Sequence, residues 1–231
     1  MPSAFLVPAE SVAPAGTLPT VIARPISRVP RNAAGTAPAE IAPAEIVPAV
    51  TAAYGDAGTL AVHYEATVDI AHHVAQPADV PEVPVAHLPP EVLPYLYPSR
   101  YCQSDRLGNL AMAQFGALPH GHTRVQAIQQ WVRSQVTFKS NTSNSMTSAL
   151  DTLTDRVGVC RDFAHLMIAV CRALNIPARF TTGIDYGADP TLGPTDFHAY
   201  VEVYLGHRWY LFDPSGTAIP MGFVRIGTGR D

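Results

Sequence analysis

Between Leu60 and Ile70 apolar side chains fall on alternate positions: Leu60, Val62, Tyr64, Ala66, Val68 and Ile70. That period of two predicts a half-buried β-strand. Further on the period lengthens. Val125, Ile128 and Val132 recur at helical spacing, and Thr123 with Gln126 resembles a capping box, which predicts a helix through about Ser134. Ser104 and Asp105 can cap an earlier segment ending at Phe115, and a short helix is expected from Thr147 to Thr154. In "CRDFAHLMIAVCRALN", residues 160–175, Phe163, Leu166, Met167, Val170 and Leu174 share a helical stripe, and Asn175 with Pro177 ends it. The runs "ARFTTGIDY", "DFHAYVEVYL" and "RWYLFDP" then read as strands. Helices followed by an antiparallel sheet is the order of an α+β fold.

Proline sets the organisation. Nine of the 22 prolines fall in residues 1–50, seven in 77–98 and six in all that follows. The first block carries the short repeat "APAEIAPAEIVPA", and proline blocks both helix interiors and central strands. Residues 1–55 are therefore expected to form a Pro/Ala-rich flexible arm without a core of its own. Residues 56–103 are expected to hold a partial β region and a Pro-rich connector across the surface, and 104–231 the main folded domain.

Composition narrows the classes of partner. Only 15% of the 231 residues are charged and the net charge is −4, which argues against a nucleic-acid footprint. No apolar run approaches the ~20 residues of a membrane span. "MPSAFLVPAESVAPAG" has neither a basic leader nor a continuous apolar stretch, so no secretory signal is expected and a cytoplasmic location is the default. Three cysteines make no complete disulfide framework. The pairs His72–His73 and His120–His122 lack a third ligand at recognised spacing, and no acidic loop of the EF-hand kind is present. No metal or cofactor is expected, nor any membrane or nucleic-acid partner.

The chemistry centres on "DRVGVCRDFAHL", residues 155–166. A cysteine at a helix start meets free backbone N–H groups and the positive end of the macrodipole, both of which favour thiolate. Cysteine is also among the most buried residue types, so by position alone Cys160 reads as packing more readily than as a nucleophile. Asp162 reads as a helix-start residue and His165 as a packing or hydrogen-bonding residue. Cys171 lies eleven residues on, about 16 Å along the helix, too far to bridge Cys160. It reads as core, and Cys102 has no evident partner.

A thiol nucleophile needs a base, and the base an orienting group. His198 and Asp213 lie on two successive strand candidates. If the hairpin turns on Gly206 and His207, Tyr204 faces Trp209 and Tyr200 lies opposite Asp213. His198 then becomes a diagonal neighbour of Asp213 on one face, about 7–8 Å away and within side-chain reach. A loop of odd length would send the two to opposite faces. The other face would carry Ala199, Val201, Val203, Leu205, Tyr210 and Phe212, suited to a core. Tyr200 and Trp209 share the histidine's face, to shield it, to contact substrate or simply to pack.

The blocks "GVCRDFAHLMIAVCRALNIPARFTTG" and "DFHAYVEVYLGHRWYLFDPSG" resemble the transglutaminase-like superfamily, particularly its bacterial cysteine-protease branch. The resemblance runs over residues 58–231. It implies a papain-like fold, in which a helix bearing the cysteine packs on an antiparallel sheet bearing histidine and aspartate. It also implies Cys160 as nucleophile, His198 as base and then acid, Asp213 as orienter of the imidazole, and a protein or peptide substrate. Attack on a carboxamide or peptide carbonyl would give a thioester, released by water or by an amine. Relatives usually begin with a fuller N-terminal β region and continue beyond a segment like "GFVRIGTGRD". Gln129, Gln130, Asn141 and Asn144 are candidates for a second oxyanion donor. The alternative to an enzyme is a binding module that keeps the fold without the activity.

Overall fold

The fold is described from a computed structural model of the chain. It covers residues 5–8, 24–25, 49–54, 60–68, 75–185, 197–217 and 223–231. Backbone contacts divide the chain into two compact units, Met1–Val74 with Tyr186–Asp196, and Ala75–Asp185 with Phe197–Asp231.

In the first unit the strand read from alternation is β4, Leu60–Val68; Ile70 lies outside the described residues. It is joined by three more, β1 (Phe5–Pro8), β2 (Arg24–Pro25) and β3 (Ala49–Tyr54), in the order β2-β1-β4-β3. Strands therefore occur within the stretch expected to be an arm. Proline explains where they stop: β1 ends on Pro8 and the two-residue edge strand β2 ends on Pro25. Between prolines, "AVTAAY" of β3 has six residues free to donate, and all six pair antiparallel with β4.

The second unit holds the helices α1 (Gly108–Phe115), α2 (His122–Gln135), α3 (Ala149–Asp155) and α4 (Cys160–Ala173). With them are the strands β7 (Ala178–Asp185), β8 (Phe197–Leu205), β9 (Arg208–Phe212) and β10 (Phe223–Gly229). Two-residue strands β5 (Thr137–Phe138) and β6 (Val157–Gly158) pair parallel just before α4. The sheet β10-β7-β8-β9 is antiparallel throughout. The α+β order is thus as the periodicity predicts.

Helix α4 lies at the centre. Asp162 through Arg172 are all buried, because α1, α2 and α3 surround it on one side and β7 and β8 on the other. Val125, Ile128 and Val132 of α2 are fully buried against it, as their spacing requires. Arg172 is buried near the helix's end, and its guanidinium donates to the carbonyls of Ala178, Tyr97 and Arg230. Those bonds let a charge lie in the core.

Three helix starts differ from expectation. Thr123 does not cap α2; Gly121 precedes the helix, and its N–H donates to Glu82 Oε1 at 3.0 Å. Glu82 also takes the guanidinium of Arg124, so a carboxylate from the connector does the work of a local cap. Ser104 begins a single 3-10 turn, Ser104–Arg106, and α1 starts after it at Gly108. The short third helix begins two residues later than expected, capped reciprocally by Ser148 and Asp151.

The Pro-rich connector is packed into the second unit. Val83, Leu88 and Val92 form a small core with Tyr204, and Leu93, Leu96 and Trp209 pack against it. His122 N donates to Val80 O and Gly206 N to Pro81 O, which ties the connector to α2 and to the β8–β9 turn.

Candidate active site

The β8–β9 hairpin decides whether the predicted residues meet. Gly206 and His207 form its two-residue turn with φ of 52° and 63°. This pair of left-handed residues is what matches the strand twist. Val201 lies opposite Phe212 and Tyr204 opposite Trp209. Ala199, Val201, Val203, Leu205 and Phe212 are buried against α4, as one face of the register requires. Tyr200 is also fully buried, so the histidine's face is covered as well. The ring of Tyr200 packs edge-on to His198, with centroids 4.5 Å apart, and against Phe223 at 4.0 Å.

Even register puts His198 and Asp213 on one face, and their side chains touch: His198 Nε2 lies 3.3 Å from Asp213 Oδ1. Cys160, first residue of α4, is half-buried and hydrogen-bonds to the same imidazole. Burial pushes His198 down, but hydrogen bonds to Asp213 and Cys160, with their negative charge, raise it to about 9. At neutral pH the imidazole is therefore protonated. The three candidate residues thus come together from a helix start, a strand and the end of a hairpin.

Local structure fixes the cysteine's position. Asp162 is fully buried; its Oδ2 accepts from Val159 N at 2.8 Å, and its Oδ1 takes Ser143 Oγ at 2.7 Å and the guanidinium of Arg161. Arg161 also donates to Ser143 Oγ and to the Asn144 carbonyl, so residues 143–144 are tied to the start of α4. A Cβ on Gly158 would stand 2.8 Å from Asp162 Cβ, so this carboxylate needs glycine there. Asp162 is a helix-start residue, as its position predicts.

Asp213 is held from several directions. Gln129 Nε2 donates to its carbonyl at 2.8 Å. Ser215 donates to Oδ1 from its N–H at 3.0 Å and its hydroxyl at 2.6 Å. Gln129 was a candidate oxyanion donor in the sequence; its amide is instead used on the backbone of Asp213. Gln130, Asn141 and Asn144 are exposed, and Asn144 Oδ1 accepts from Met146 N. Spacing alone did not mark Ser215, although an aspartate ahead of Pro-Ser-Gly is a turn signature, its carboxylate accepting from the N–H two residues on. Trp209 is not at the site: it meets Tyr204 and Tyr95 edge-on and lies under the Arg179 guanidinium, some ~20 Å along the strand from His198.

The other cysteines differ from Cys160. Cys102 and Cys171 are fully buried, and burial pushes both thiols up, that of Cys102 to about 12. His165 is buried between Tyr101 and Phe180, and burial pushes it down to about 4. It packs, as its position predicts. His120 lies 3.5 Å from Glu82 and His122 packs at a tilt against Phe212, whereas His72 and His73 lie outside the described residues. Among the described residues no cluster of three metal-ligating side chains occurs, and no helix is long and apolar enough to cross a membrane.

A buried helix that starts on cysteine and rests on an antiparallel sheet carrying histidine, with aspartate at its hairpin's end, is a papain-like arrangement. The model of the transglutaminase-like superfamily matches residues 110–214. A crystal structure of a candidate cysteine protease from Cytophaga hutchinsonii is 34% identical, covering all of this chain and 77% of that one with a TM-score of 0.70. The chain belongs to the transglutaminase-like superfamily. An uncharacterized protein of Mycobacterium leprae is 34% identical over 112 residues, 46% of this chain and 40% of that one. An uncharacterized protein of Mycobacterium tuberculosis is 28% identical over 111 residues, 43% of this chain and 35% of its own length. The matches thus span 35% to 40% of those curated relatives.

Proposed function

We propose that the chain is a thiol-dependent acyl-transfer enzyme, acting on amide or peptide bonds through Cys160, His198 and Asp213 and a thioester intermediate. The observation that carries this reading is the imidazole of His198, hydrogen-bonded both to Asp213 and to Cys160. Cys160 Sγ attacks the carbonyl carbon as thiolate, the C–N bond breaks, and the proton held on His198 leaves with the amine. The N–H groups at the start of α4 favour the anionic sulfur and the developing oxyanion. Water then attacks the thioester while His198 accepts its proton, releasing the acid and restoring the thiolate beside the protonated imidazole. Hydrolysis is the reading preferred, with transfer to an amine as its variant.

Iodoacetamide tests the reading without a known substrate. Alkylation at pH 7, located by mass spectrometry, is expected at Cys160 at least about tenfold faster than for a free thiol, of which only a few per cent is thiolate. His198→Ala is expected to remove that advantage. A Cys160 no faster than a free thiol, indifferent to His198→Ala, would point instead to a non-catalytic binding module. Trapping the acyl-enzyme from a peptide and amine library then separates hydrolysis from transamidation.

A further inference from the structure

Ser215 occupies a place that the proposed reaction does not by itself require. It is buried, two residues past Asp213, where Gly216 turns the chain with φ of 64° beneath the Arg133 side chain. Its hydroxyl has three polar neighbours within bonding range: Asp213 Oδ1 at 2.6 Å, Thr217 Oγ1 at 2.9 Å and His198 Nε2 at 3.4 Å. The Thr217 N–H donates to it as well, at 3.4 Å.

A hydroxyl has one proton to give, and an ionised carboxylate can only accept. The shortest contact, to Asp213, therefore takes the Ser215 proton. Oγ is left as an acceptor, so Thr217 must donate to it. The same follows for the histidine. His198 Nε2 faces Asp213 Oδ1 and Ser215 Oγ, both acceptors, and so must carry a proton whenever the imidazole is neutral. The nitrogen that gains and loses a proton is then Nδ1.

We propose that Ser215 is a positioning residue that fixes the tautomer of His198, keeping Nε2 protonated and Nδ1 as the basic nitrogen. It rests on the reading of His198 as base for Cys160. The hydroxyl acts through the imidazole and touches no substrate. With Gln129 on the Asp213 carbonyl, Ser215 completes a clamp that holds the carboxylate in the plane where it meets Nε2.

Two measurements test it. In a Cys160→Ala background, 15N spectra of His198 are titrated from pH 6 to 10, with and without Ser215→Ala. A single Nε2–H tautomer is expected with serine; with alanine the Asp213 carboxylate loses the hydroxyl that orients it, and a share of the Nδ1–H tautomer is expected. In the Cys160 protein, Ser215→Ala is expected to slow iodoacetamide alkylation at pH 7 about tenfold, the ratio of one lost charge-assisted hydrogen bond. Ser215→Thr, which keeps the hydroxyl, is expected to restore most of it. An unchanged tautomer signal in Ser215→Ala would overturn the inference, as would a rate that Ser215→Thr fails to recover while the fold stays intact by circular dichroism. If His198→Ala leaves alkylation unchanged, the reading of the site fails; if only Ser215→Ala is silent, the inference alone fails.

Discussion

At the residue scale, His198 is where opposing effects are weighed. Burial disfavours its charge, yet the bonds to Asp213 and Cys160 outweigh burial and hold it at about 9, above the 6.5 of an ordinary histidine. The sign of the linkage follows. Stabilisation from the protonated ring is complete below pH 6.5 and is lost as pH rises through about 9. Asp213→Asn removes much of that preference for the charged form. The stability gap between the native protein and Asp213→Asn, measured by urea unfolding, is expected to be wide near pH 6 and to narrow by about pH 9.5. A gap of equal width at both would mean that Asp213 does not hold the proton on His198. The pairing of these two residues was legible from sequence because a two-residue turn leaves only one parity. Ser215 and Gln129 were not, since each acts on Asp213 through side-chain geometry that spacing does not encode, Gln129 across 84 residues.

At the element scale, the start of α4 is held by a buried carboxylate that leaves no room for a methyl group. Gly158→Ala would put a Cβ 2.8 Å from Asp162 Cβ and 3.0 Å from its Oδ2, displacing the cap on Val159 N. The expected cost is about 1–3 kcal/mol, typical of an overpacked site, with Cys160 alkylation slowed as the helix start shifts. Unchanged stability by urea unfolding would show that the carboxylate can move aside freely. The stripe of α4 was readable from Phe163, Leu166, Met167 and Val170, but burial of the remaining positions was not. A sequence reports one apolar face; only the neighbouring elements reveal that the helix is surrounded. The cap of α2 follows the same logic. Thr123 had the right local spacing, and Glu82 took the role from a distance because it reaches Gly121 and Arg124 together.

At the scale of the whole molecule, α4 is the element on which both the core and the site depend. Ile168 at its middle is fully buried, and Ile168→Ala is expected to cost about 2–5 kcal/mol by the loss of burial and the cavity left behind. Urea unfolding measures it; a cost below about 1 kcal/mol would mean that the surrounding helices collapse onto the gap. The connector likewise gains its place only in three dimensions. Its prolines mark it as non-helical and non-strand, while the small core it makes with Tyr204 and Trp209 depends on the outer face of the β8–β9 hairpin.

The sequence by itself determined the order of elements, the period of each, and the parity that lets His198 and Asp213 share a face. These are local properties, set by backbone geometry over a few residues. The tertiary structure decided which donors hold Asp213, what caps α2, where Trp209 lies and how deeply α4 is buried. Those depend on side chains brought together from distant parts of the chain, where a hydrogen bond or a contact is won by whichever group reaches the place first in space, not in sequence. "DRVGVCRDFAHL" named a cysteine at a helix start; the imidazole beside it came from a strand nearly forty residues on.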